Sequence, residues 1–195
     1  MNCGADISGR RMALIVVDMQ RKYAYGRMED AVTAMLPSIN GAMELFRSHG
    51  LPVAVVRMAG SCHPVPDDLG DPEGFVDGLL IDDADPVIDK AYLDAFHGTP
   101  LADILAEAGT DTVVVCGLVS DWCVMATYFG AYNAGLSPFL LEGGSASTCA
   151  ERTAHAEAIC KTLSLGDLRT NLEPAERGPF IGPQYGQGHE GLRGL

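Results

Sequence analysis

Three residues whose types suit nucleophilic chemistry stand at or shortly beyond the ends of apolar runs in this chain: Asp18 after ALIVV, Lys90 after Pro86-Val87-Ile88-Asp89, and Cys123 a few residues beyond Thr112–Cys116. A carboxylate can take a proton from a thiol, an ammonium can hold the charges in register, and a thiolate can attack a carbonyl carbon. The stretch that frames the thiol, TVVVCGLVSDWCVMATYFGAYNAG from Thr112 to Gly135, reads as a buried strand, a turn opened by Gly117, and a helix. Ser120 and Asp121 are N-cap types, so Cys123 is predicted to fall in the first helical turn. Backbone amides there lack intrahelical partners and the helix dipole is positive, which favours a thiolate and offers donors to an oxyanion.

These residues need elements to position them. Ala13–Val17 predicts a first strand ending at Asp18. A helix with a Pro37 interruption is predicted over about 29–48, closed by Gly50, and Pro52–Arg57 predicts a second strand. The Gly-, Pro- and Asp-rich run from Met58 to Asp85 has no period and predicts a long loop. Thr99 and Pro100 are read as N-cap and first position of a helix stopping at Gly109. After the central strand and helix come a strand at Ser137–Leu141, a turn at Glu142–Ser145, a helix over about 150–163 capped by Ser147 or Thr148, and a short strand at Gly166–Thr170.

The alternation β-α-β-β-α-β-α-β-α predicts a three-layer α/β/α domain with a mainly parallel, Rossmann-like central sheet. It is assigned to residues 1–172, followed by a Gly/Pro-rich arm over 173–195 that a partner subunit would have to order. In such sheets ligands bind at the carboxyl ends of the strands, where Asp18, Lys90 and Cys123 are all placed.

The composition narrows the partners. Thirteen basic against 26 acidic residues give a formal charge of −13, which argues against nucleic acid or an anionic membrane surface. No run approaches a membrane span and the N-terminus has no apolar leader core, so a cytoplasmic protein is expected. Six cysteines without a CxxC or a Cys/His zinc spacing suit reduced thiols. His63 reads as a surface loop residue, and the loop aspartates lack the spacing of a calcium loop. No GxGxxG or P-loop follows the first strand, which argues against nucleotide binding.

Together ALIVVDMQ, VIDK followed by Ala95-Phe96 and Gly98-Thr99, and CGLVSDWCVMATYFGAYNAG resemble the isochorismatase-like cysteine hydrolases, a family that includes nicotinamidases, N-carbamoylsarcosine amidases and ureidoacrylate hydrolases. The resemblance covers about residues 13–170. It implies a catalytic triad of Asp18, Lys90 and Cys123, and a cis peptide at Val119-Ser120 that aims amides at an oxyanion. The implied activity is hydrolysis of a C–N bond in a small amide, ureido or lactam substrate through a thioester. Vinyl ether hydrolysis of the isochorismatase type, and a non-catalytic subunit keeping the fold, are the alternatives. The resemblance further implies a homo-oligomer, dimer or tetramer, acting on a small molecule.

Two departures bear on specificity. A nicotinamidase metal site needs Asp-x-His and further loop histidines, whereas this loop has only His63, so neither a metal nor another cofactor is expected. Asp94 replaces a frequent serine, and Arg21-Lys22-Tyr23 replaces an Asn-Asp-Phe-like run. Tyr25, Phe96 and Trp122 are the candidate substrate walls.

Overall fold

The computed structural model describes residues 7, 9–60 and 65–172. Cys3, Cys62, His63 and the arm at 173–195 lie outside the described residues. Six strands form one parallel sheet: β1 (Met12–Val17), β2 (Val53–Met58), β3 (Val87–Lys90), β4 (Thr112–Leu118), β5 (Ser137–Ala146) and β6 (Thr162–Leu163), in the order β3-β2-β1-β4-β5-β6. Five helices cover it: α1 (Glu29–Ser48), α2 (Leu101–Glu107), α3 (Met125–Asn133), α4 (Ala150–Ile159) and α5 (Leu165–Asn171). This is the three-layer α/β/α architecture expected from the alternation of elements.

Both faces of β1 are buried, as its unbroken apolar run requires. Met12, Leu14 and Val16 face one layer, with Met35, Ile39, Met43 and Phe46 of α1 and Leu168 of α5. Ala13, Ile15 and Val17 face the other, with Leu101 and Leu105 of α2 and Tyr128 and Ala131 of α3. Burial of side chains of this size stabilises by about 1.5–3 kcal/mol each, so the two layers hold β1 at the centre.

Pro37 lies inside α1 without dividing it. Thr99 accepts from the Leu101 amide at 3.2 Å, although Pro100 occupies the cap position itself. Gly117, expected to turn the chain, is instead the sixth residue of β4, with φ of +112° and its Cα pressed on β1. A Cβ there would sit 2.0 Å from the Val17 carbonyl oxygen, so only glycine allows the strands to pair this far.

The expected turn at Glu142–Ser145 is also absorbed into a strand. Val115 pairs with Leu140 but Gly117 with Ser145, so β5 bulges between them and rejoins β4 beside the site. Gly143, with φ of +64°, supplies the reversed backbone in that bulge. Cys149, not Ser147 or Thr148, takes the cap position of α4. The segment expected as a last strand, Gly166–Thr170, is helix α5. Its start is a capping box in which Ser164 Oγ accepts from the Asp167 amide at 3.0 Å while Asp167 accepts from the Ser164 amide at 2.9 Å.

Candidate active site

Strand order reverses at β1, whose connections lead to β2 on one side of it and, later, to β4 on the other. Ligand crevices of open α/β sheets form at such a point, beyond the carboxyl ends of the strands. Register brings the candidate residues to that rim: Val17 pairs with Val56 and Gly117, and Met58 with Lys90.

Asp18 leaves β1 with φ of +49°, the one non-glycine residue with positive φ among those described. Aspartate tolerates this left-handed conformation better than most residues, and such outliers persist where surrounding contacts impose them. Here the Asp18 amide donates to Val56 O at 2.8 Å and its carbonyl accepts from the Gln20 amide at 2.7 Å. The turn ends the strand alternation and sets the carboxylate in the crevice floor.

Lys90 points to the interior because β3 alternates, with Ile88 and Lys90 buried and Val87 and Asp89 exposed. Its Nζ lies 2.8 Å from Asp18 Oδ2 and donates to Tyr92 O at 3.0 Å. Cys123 sits in a π-helical turn, Ser120–Val124, that leads into α3. The Val119 carbonyl accepts from both Trp122 N (2.9 Å) and Val124 N (3.3 Å), which widens the turn and distinguishes it from the ordinary first helical turn expected. No side chain caps it. The cis peptide is Leu118-Val119, one bond earlier than Val119-Ser120, where the resemblance placed it. The described structure thus joins the end of β4 to an extended Val119 through the cis bond, and Ser120 opens the π turn.

Asp18, Lys90 and Cys123 therefore meet. Burial raises the Asp18 pKa, opposed by the Lys90 charge and hydrogen bond, the Cys123 thiol and, more weakly, Lys22. The Cys123 thiol is pushed up to about 12, first by burial and then by the Asp18 charge, with Lys90 opposing. Position near a helix start alone favours the thiolate, but desolvation prevails. A thiol shifted this far stands largely protonated near neutral pH, beside the Asp18 carboxyl.

A cavity of about 580 Å³ opens above these groups. Tyr23, Met58, Tyr92, Leu93, Leu118 and Trp122 form its apolar walls, and Asp121, Ser147, Thr148 and Arg152 its polar rim. Of the three residues proposed as walls from sequence, only Trp122 lines it. Phe96 packs against the layer formed by α2 and α3, where its amide donates to Asp94 Oδ1 at 2.8 Å. Tyr25 is half-buried at the head of a short 3-10 turn, Gly26–Met28, and is not among the lining residues. Val119 lines the cavity, whereas Ser120 is buried below it and bonds Ser145 Oγ (3.1 Å) and Thr153 Oγ1 (3.2 Å).

Lys22, a departure from the family pattern in the sequence, is buried beside the site. Its Nζ donates to Met58 O (2.9 Å), Gly60 O (2.6 Å) and Glu73 Oε2 (2.6 Å). Gln20 reinforces it, donating to Met58 O and Glu73 Oε2 and accepting from Met58 N at 2.9 Å. Both tie the long loop to the end of β1. Among the described residues no three His, Cys, Asp or Glu side chains gather to hold a metal ion, and no helix is long and apolar enough to cross a membrane.

The sheet order and the helices around it define a three-layer α/β domain of a recognisable kind. The isochorismatase domain model matches residues 12–165, and the chain belongs to the isochorismatase family of hydrolases. It is similar to streptothricin hydrolase of Streptomyces noursei, 31% identical over 119 residues that make up 59% of this chain and 46% of that protein, so less than half of that relative's length is matched. Among solved structures it is similar to N-carbamoylsarcosine amidase from Thermoplasma acidophilum, with a TM-score of 0.66 and 26% identity over 85% of this chain and 99% of that one. The zinc complex of pyrazinamidase of Pyrococcus horikoshii gives a TM-score of 0.69 and 25% identity, covering 79% and 99%.

Proposed function

We propose that the chain hydrolyses a C–N bond of a small amide, ureido or lactam substrate through a thioester on Cys123. The observation that carries this reading is the buried Asp18–Lys90 pair set beside Cys123 at the floor of the cavity. The names of the amidase and hydrolase relatives support it.

In this mechanism Asp18 takes the Cys123 proton as Sγ attacks the carbonyl carbon. The C–S bond forms, and the carbonyl π electrons move to oxygen. Turn amides near Ser120 and Cys123 receive the oxyanion, Trp122 N–H being held by the Val119 carbonyl. Collapse breaks the C–N bond, and the proton held by Asp18 passes to the departing nitrogen. Asp18 then takes a proton from water as its oxygen attacks the thioester; collapse of that intermediate breaks the C–S bond with its electrons going to sulfur, and Asp18 returns the proton to the departing sulfur. Lys90 favours the ionised form of Asp18 between proton transfers and holds the carboxyl in place.

The burial of Asp18 on the cavity floor, with its side chain 1% exposed, supports a second reading. The raised Asp18 pKa also suits a general acid, the role needed to protonate a vinyl ether without a covalent intermediate.

Release of ammonia, amine and acid from a panel of small amides, ureido acids and lactams, together with a vinyl ether carboxylate, separates the two. Turnover of a C–N substrate that vanishes in Cys123→Ala, with an acyl adduct on Cys123 in the mass spectrum, is expected. Vinyl ether cleavage that survives Cys123→Ala, with no C–N turnover, would overturn the thioester reading.

A further inference from the structure

The polar rim of the cavity is unevenly furnished. Asp121 Oδ1 accepts from Ser147 Oγ at 2.6 Å and its Oδ2 from Arg152 Nη1 at 2.9 Å, so both oxygens are engaged. The Arg152 guanidinium has five N–H groups, and this is its one hydrogen bond to the described residues. Asp121 thus fixes the guanidinium at the rim without consuming its donors. Ser147 in turn sits where the β5 bulge returns that strand to the side of β4.

From the floor, where the thiol stands, to this rim, the walls are apolar: Met58, Tyr92, Leu93 and Trp122. A ligand spanning the cavity therefore meets a nucleophile at one end, a desolvating wall along its length, and spare, forked N–H donors at the other. Carboxylates match that fork with paired, charge-assisted hydrogen bonds. The formal charge of −13 works against any anion at long range, so capture has to be local, at Arg152 itself.

We propose that Arg152, held by Asp121, is an anion-recognition residue, and that the substrate is a small amide whose far end carries a carboxylate across an apolar spacer. This rests on the C–N hydrolase reading for the reacting end only; the anion subsite stands on the rim geometry. Arg152 determines specificity and takes no part in bond cleavage.

The test compares butanamide, pentanamide and hexanamide with their carboxylated counterparts succinamic, glutaramic and adipamic acid, a series that scans the spacing. Rates are measured with the wild type and Arg152→Met, and equilibrium binding by calorimetry with Cys123→Ala, with and without Arg152→Met. At one chain length the acid is expected to exceed the neutral amide in kcat/KM. Arg152→Met is expected to lower that acid-to-neutral ratio about 10- to 100-fold, the range of a hydrogen bond to a charged group, mainly through KM.

Because Arg152→Met leaves the Asp121 charge unbalanced, Asp121→Asn/Arg152→Met is the control, and the preference stays lost in it. A preference restored in the double variant, a ratio indifferent to Arg152, or no acid binding Cys123→Ala at any length would each overturn the proposal. Arg152-dependent binding of an acid with no turnover by the wild type would keep the anion subsite and sink the amidase reading.

Discussion

Asp18 Oδ2 and Lys90 Nζ meet at 2.8 Å with side chains only 1% and 0% exposed, an ion pair that solvent scarcely reaches. A buried charge that loses its partner costs about 3–5 kcal/mol, whereas replacing both partners is often close to neutral. Lys90→Met is expected to lower unfolding stability by about that amount, and Asp18→Asn/Lys90→Met to regain much of it while staying inactive. Urea denaturation of the three proteins, set beside their turnover, checks this; a double variant as unstable as Lys90→Met would argue against a coupled pair.

The pH dependence follows from the same floor. In the proposed mechanism Asp18 serves as base only when ionised, and burial raises its pKa above the ordinary 3.8, so kcat/KM is expected to fall as pH drops through a value above 3.8. The thiol, raised to about 12, contributes no limb near neutrality. Alkylation of Cys123 by iodoacetamide is correspondingly slow at pH 7 and accelerates toward pH 10, since the thiolate is the reactive form. A rapid, pH-independent alkylation between pH 6 and 8 would contradict a protonated resting thiol.

Lys22 fastens the long loop from inside, with its side chain 1% exposed. Lys22→Met removes donors from Met58 O, Gly60 O and Glu73, and is expected to cost about 1–3 kcal/mol. Limited proteolysis should then cut within residues 59–85 faster than in the wild type. Lys22 also lowers the Asp18 pKa, so the acid limb of kcat/KM should move to higher pH in this variant. An unchanged cleavage pattern and an unmoved limb would mean that the loop is held by other contacts.

Gly117 and Gly135 share positive φ but not surroundings. At Gly117 an added Cβ meets the Val17 carbonyl at 2.0 Å, while at Gly135 it meets nothing within 4 Å. Gly135→Ala is expected to cost about 1–2 kcal/mol, the backbone penalty alone, and Gly117→Ala more than about 4 kcal/mol through separation of β1 from β4. Thermal and urea unfolding of both variants decide it, equal costs being the contrary result.

Much of this arrangement is legible in the chain. Asp18 and Lys90 stand out because each interrupts an apolar run at a strand end, and the parallel sheet carries such ends to one rim. What the chain conceals depends on distant partners. Nothing local distinguishes buried Lys22 from the exposed lysine its type suggests, because its acceptors lie 36 to 51 residues away. Gly117 reads as a turn former until β1 is placed against it. Tyr23 and Tyr25 are equivalent by composition, yet the short 3-10 turns after β1 put only Tyr23 on the cavity. The Ser164-x-x-Asp167 capping signal, by contrast, was present in the sequence and outweighs the strand-like look of the segment after it.

The position of β1 also bears on truncated chains. In the folded sheet its run MALIVV pairs with β2 along one edge, and its other edge is closed only by Thr112–Leu118, much later in the chain. A chain halted before that point presents an unpaired, wholly apolar strand, the kind of edge on which chains aggregate. Because the thiol follows on the very segment that closes the edge, a chain halted before β4 lacks both the strand that covers β1 and Cys123.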